Sequence, residues 1–235
     1  MIFRRFSEHF ASQNWFAVGL DILVVITGIF LGLQVSEWNE TRKERVEERA
    51  YLGRLVTEIR ETRDANTKVA ENGIEKLAMI GNAVTLLQSG LLTEHNMDDF
   101  QNYVYATHFY PRAKIYDSVI NEMVASGKVG LIKNAEIRSI IVTYSETVQG
   151  AKNINEGHFS EFLKLRHAIH EQIKLPIDYD SSHKILDTPA EISKNRSFLG
   201  TIRFAHELLS EQIYGVEEFR DKASDMLTML NEYSP

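Results

Sequence analysis

Trp15-Phe-Ala-Val-Gly-Leu-Asp-Ile-Leu-Val-Val-Ile-Thr-Gly-Ile-Phe-Leu-Gly-Leu-Gln-Val35 decides how the rest of the chain is read: it has one charged residue in 21. As an α-helix rising 1.5 Å per residue it would reach about 30 Å, the thickness of a bilayer's hydrocarbon core. Asp21 is the only obstacle to insertion. Thirteen Leu, Ile, Val and Phe residues at roughly -0.3 to -0.6 kcal/mol each outweigh about +3 kcal/mol for one acid. The segment 15–35 therefore reads as a transmembrane helix.

A cleaved signal peptide is the main rival, since Arg4 and Arg5 precede the apolar run. Its core would be shorter and would end in small residues, whereas this core is followed by Gln34-Val35-Ser36-Glu37-Trp38. An uncleaved anchor is expected. Ahead of it, in residues 1–14, Phe3, Phe6 and Phe10 alternate with Arg4, Arg5 and Glu8, the pattern of a short amphipathic arm lying on a membrane surface. Trp15 and Trp38 bracket the span as interface anchors.

At 100° per residue, Ala17, Asp21, Gly28, Gly32 and Val35 share one narrow face of that helix. Gly28 and Gly32 form a G-x-x-x-G pair, which permits close approach by a second helix. An acid on the same face needs protein or water opposite it, because lipid offers no partner. Expected partners are thus membrane lipid and another transmembrane helix, from a second copy or a larger assembly. The plainer reading is that glycine is common in membrane helices and that Asp21 reaches the nearby interface.

The remainder, residues 36–235, is long enough for a sizeable core. Four prolines and 13 glycines suit long helices better than a many-turned β fold. Residues 36–50 are dense in both signs and read as a solvated stalk continuing the membrane helix. A buried stripe follows through Leu52, Leu55, Val56, Ile59, Val69, Leu77, Ile80, Val84 and Leu87, with Gly90 as the stop and a bend allowed at Asn72-Gly73. A short helix capped by Asn96 and one over Tyr116–Ser126 come next. Asn134 caps a helix carrying Ile137, Ile140, Ile141 and Tyr144. Another is expected from Asn153 to Lys174, with Phe159, Phe162, Leu163, Ile169 and Ile173 inward. Residues 176–187 form a loop, and Thr188-Pro-Ala-Glu191 is a capping box. The last helix has the clearest period: Phe198, Ile202, Ala205, Leu209, Ile213, Val216, Phe219, Ala223, Met226 and Leu230. The expected fold is all-α: a transmembrane helix continuing into a long stalk helix and an antiparallel bundle.

The chemistry is sparse. The absence of cysteine excludes disulfides, thiolate nucleophiles and cysteine metal sites. With 26 basic against 33 acidic residues and a net charge of -7, no nucleic-acid partner is expected. His167 and His170 with Glu171 and Glu161 lack the H-E-x-x-H or paired E-x-x-H pattern that zinc or di-iron sites use, and exposed helix histidines are the plainer reading. Gly127-Lys128-Val-Gly130 fails the Walker pattern, and no nucleophile elbow or dinucleotide fingerprint is present. No catalytic residue, cofactor or metal is expected.

Two stretches, Gly28-Ile-Phe-Leu-Gly-Leu-Gln-Val-Ser-Glu-Trp-Asn-Glu40 and Tyr116-Asp-Ser-Val-Ile-Asn-Glu-Met-Val-Ala-Ser-Gly-Lys-Val-Gly-Leu-Ile-Lys-Asn134 leading to Arg138 and Tyr144, resemble a family of small bacterial single-span membrane proteins. The resemblance implies an inner-membrane, helix-rich protein and carries over no activity, substrate or catalytic residue. Its members often have a glutamate early in the span, where Asp21 stands here. The expected function is a non-enzymatic accessory or scaffold subunit of an inner-membrane assembly. The alternatives are ion coupling through Asp21, in the layout of proton-driven stator subunits, and a ligand-sensing helical ectodomain. On orientation the signals oppose each other. Base counting favours a cytoplasmic domain, but large domains translocate despite charge and a short two-arginine tail is commonly retained, so an extracytoplasmic, periplasmic domain is expected.

Overall fold

The structure is a computed structural model that describes residues 15–174 and 184–233. The expected arm 1–14 and most of the loop at 176–187 lie outside the described residues. Every regular element among the described residues is helical: α1 (Trp15–Ser89), α2 (Met97–Tyr105), α3 (Ser118–Ala125), α4 (Ala135–Gln172), α5 (Pro189–Lys194) and α6 (Arg196–Glu232). Short 3-10 turns at Glu94–Asn96, Ala106–His108 and Lys128–Leu131 join them. The described residues divide into two units, one up to Ala50 and one from Tyr51 onward.

In the first unit α1 is the only described element, and every residue from 19 to 43 is exposed. Its exposed apolar residues include Leu23, Val24, Val25 and Ile26, consecutive around the helix and each 59–63% exposed. Apolar residues therefore face every side of this part of α1 and do not form a single stripe.

The second unit is a bundle with two apolar clusters along its length. One joins Leu55 and Ile59 of α1 to Ile120 and Met123 of α3, Ile141 of α4 and Ala223 of α6. The other joins Ile80 and Ala83 of α1 to Phe100 of α2, Ile169 of α4 and Phe198 and Ile202 of α6. Because α6 enters the second cluster first and α1 enters the first cluster first, α6 runs antiparallel to α1. It runs antiparallel to α4 for the same reason. The periodic stripe of α6 is buried throughout, from Phe198 to Leu230. Thr188 and Glu191 form the expected capping box on α5, and Asn134 caps α4 through the amides of Glu136 and Ile137.

Several expectations need correction. α1 continues through Asn72-Gly73 without a break. Gly73 permits contact there, since a Cβ on it would lie 2.8 Å from Ile213 Cγ1. α4 is one helix where two were expected: Gly150 alone costs about 1 kcal/mol, and the buried stripe Tyr144, Val148, Asn155, Phe162 runs past it. Phe159 and Leu163 are exposed, because the buried face follows Phe162, Leu165 and Ile169. Asn96 does not cap α2 with its side chain. It instead accepts from the Thr93 amide at 2.8 Å and donates to the Leu91 carbonyl at 3.0 Å, shaping the preceding turn.

Candidate functional site

The continuity of α1 places Asp21, Gly28, Gly32 and Val35 within about 60° of one another around the helix axis. All four are exposed, and a Cβ on Gly28 or Gly32 would meet nothing within 4 Å. The side chains of Trp15 and Ala17, which share the same helix, lie outside the described residues. Trp38 is 65% exposed, with the Arg42 guanidinium 5.9 Å from its ring centroid. This face therefore carries one acid, two glycines and a branched apolar residue, all free to meet another surface.

In the bundle, α1 carries a polar ladder that its apolar periodicity does not single out. Glu58, Thr62 and Asn66 follow one another at helical spacing of four, and all three are buried. Asn66 donates to the Lys114 carbonyl at 2.7 Å and accepts from the Lys114 amide at 2.9 Å. The Thr62 hydroxyl faces the Tyr116 carbonyl and amide, each at 3.3 Å. Glu58 accepts from the Ser118 hydroxyl and the Val119 amide at 2.7 Å and from the Ile120 amide at 3.2 Å. A carboxylate there satisfies amides at the start of α3 that have no partner within that helix, which is why α3 begins at Ser118, two residues later than its apolar pattern suggested. From α4, Asn155 binds both backbone groups of Ala113, at 3.1 and 3.0 Å. Segment 113–117, which belongs to no helix, is thus held in place by side chains that supply its backbone partners. The signal available in the sequence was three polar residues on the face that carries Leu55 and Ile59.

The histidines expected on α4 separate. His167 is exposed and lies 3.2 Å from Glu171, while Glu161 pairs with Lys164 at 2.7 Å. His170 instead meets His108, 62 residues away in sequence, with their Nε2 atoms 3.1 Å apart. His108 Nδ1 faces the Tyr105 carbonyl at 3.2 Å. A carbonyl only accepts, so Nδ1 carries the proton; neutral His108 then offers Nε2 as acceptor to His170 Nε2–H. Burial, with Arg166 adding to it, pushes His108 down to about 4. His170 is lowered too, by burial first and then by Arg166 and His167. Among the described residues no three His, Cys, Asp or Glu side chains converge as metal ligands.

Tyr144 is buried and its hydroxyl has no hydrogen-bond partner among the described residues. Burial raises its pKa, with the charges of Glu58 and Asp117 adding to the effect. The class defined by this architecture is an all-α protein with one N-terminal helix long and apolar enough, by length and composition, to cross a membrane. No family model, no curated protein and no solved structure matches the chain.

Proposed function

We propose that residues 15–35 cross a bilayer and that the protein is a non-enzymatic, membrane-anchored interaction subunit of an inner-membrane assembly. The observation that carries this reading is the run of residues from 19 to 35, exposed on every side and largely apolar, with Asp21, Gly28 and Gly32 gathered on one face. Lipid can cover the apolar sides. It offers nothing to a carboxylate, and it gains nothing from the groove that two glycines open. A second helix packed on that face supplies close van der Waals contact at the glycines and a polar partner for Asp21.

The test replaces both glycines. Gly28→Leu combined with Gly32→Leu keeps the segment apolar and helical while closing the groove. On native gels of mild-detergent extracts, the double variant should migrate as a smaller species than the unaltered protein, and co-purifying chains should be lost. Complexes of unchanged size would contradict the proposal.

A further inference from the structure

The face that carries Asp21, Gly28, Gly32 and Val35 does not end with the span. At about 100° per residue, Asn39, Val46 and Ala50 of α1 fall with those four inside a strip about 60° wide. All seven residues are exposed, and Val46 stays 58% exposed in the midst of the charged stretch 36–50. A shallow hollow on the outer part of the strip is lined by Asn39, Arg42, Lys43, Val46, Glu47 and Ala50. The strip repeats every 11 residues, with Gly28, Asn39 and Ala50 as one set and Val35 and Val46 as another. That period matches a right-handed supercoil, the hand in which paired glycines let two membrane helices cross closely. The strip's borders differ in charge. Arg42 and Arg49 lie on one side, with Arg45 behind them and paired to Glu48 at 3.2 Å. Glu40 and Glu47 lie on the other side, where Lys43 is the one base.

We propose that the helix docked on this face is α1 of a second copy, parallel and in register, and that the pairing continues from the span along residues 36–50. This rests on the reading that the glycine face docks a helix, and it names the partner. Copies of one chain insert in one direction, so their spans run parallel. A two-fold pair about the strip then sets the arginine side of each copy beside the glutamate side of the other. Flanking charges of this kind choose partner and orientation in paired helices. An antiparallel pair would set arginine beside arginine. Asn39 stands at the middle of the strip, and its amide both donates and accepts, so it can pair with its own counterpart. A single polar residue in such a seam fixes register. The same symmetry brings the two Asp21 side chains together, and their like charge opposes the pairing. Asparagine at that position keeps hydrogen bonding across the pair and removes the repulsion, whereas an Asp21 held by a cation of a foreign helix would lose its partner.

The experiment uses the full chain in native membranes, and the absence of cysteine makes single introduced thiols unambiguous. Asn39→Cys and Val46→Cys place one on the strip. Thr41→Cys places one on the far side of the same exposed helix and reports random collision. Each is treated with copper phenanthroline and run on a non-reducing gel. The expected result is a disulfide-linked species of twice the chain's mass at positions 39 and 46, and its loss at position 41. Like-numbered disulfides at two heights require copies that are parallel and in register. Adding Asp21→Asn to Val46→Cys should leave the linked species as abundant or more so. The proposal is overturned if positions 39 and 46 both stay monomeric, if position 41 links as well as they do, or if Asp21→Asn abolishes linking. Should Gly28→Leu with Gly32→Leu shrink the native complexes while neither position links, the glycine face still docks a helix but not this one. Linking at both positions with complexes unchanged by the glycine variant would support the second copy and overturn the glycine reading alone.

Discussion

Asn66 serves three backbone groups with one amide: the Thr62 carbonyl in its own helix and both the carbonyl and the amide of Lys114. Truncation removes all three bonds, two of them to part-buried groups of Lys114, and each hydrogen bond lost costs about 0.5–1.5 kcal/mol. Asn66→Ala should therefore destabilise the bundle by roughly 2–4 kcal/mol, read as a lower urea midpoint by circular dichroism. A change near zero would mean that segment 113–117 is held by something else. His108 gives a pH dependence of definite sign. Its pKa is lowered on folding from an ordinary 6.5 to about 4, so between those values the unfolded chain binds the extra proton. The stability contributed by its neutral form is complete above about pH 6.5, falls as the pH drops towards 4, and is flat below that. His108→Gln should flatten the slope of melting temperature against pH across this window; a slope as steep as in the unaltered protein would remove His108 as its source.

At the scale of elements, α1 and α6 pack directly against each other where Gly73 faces Ile213. An added methyl would sit 2.8 Å from Ile213 Cγ1 and 3.1 Å from its Cδ1, and the buried Ile213 has little room to retreat. Gly81 is different, since its nearest neighbour would be the far end of His206, 3.5 Å away. Helix propensity favours alanine at both sites by about 1 kcal/mol. Gly81→Ala should accordingly raise the thermal midpoint slightly, while Gly73→Ala should lower it, since overpacking costs about 1–3 kcal/mol. Equal shifts in both variants would show that the α1–α6 contact is looser than described. This pair also marks what the sequence could and could not convey. Helix existence was legible: the period of Phe198 to Leu230, the box at Thr188–Glu191 and the stop at Gly90, which adopts φ +67°, each follow from local physics. Gly73 was legible only as a weak point, because its role depends on a residue 140 positions away. The same limit hid the ladder of Glu58, Thr62 and Asn66, whose partners, mostly backbone groups, belong to a distant segment. It also hid the His108–His170 pair, which exists only once α4 is brought to the turn after α2.

For the whole molecule, the decisive contrast is between a bundle that buries its apolar stripes and a helix segment, residues 19–35, that buries none of its apolar residues. Water penalises such exposure at roughly 25 cal/mol per Å² of apolar surface, and a bilayer removes that penalty. That Asp21, Gly28, Gly32 and Val35 share one side of α1 was legible in the sequence, since one continuous helix fixes which residues align. Orientation is open to a direct test because the chain has no cysteine. A single Tyr214→Cys, at a site 69% exposed, should react with a membrane-impermeant maleimide in intact inner-membrane spheroplasts if the bundle lies outside the cytoplasm. Labelling only after lysis would place it inside. The central claim, that residues 15–35 are embedded in lipid, is tested most directly by washing native membranes with high salt and then alkaline carbonate. The full-length polypeptide should stay with the membrane pellet and leave it only on detergent extraction. Its release, untruncated, into the carbonate supernatant would contradict the account.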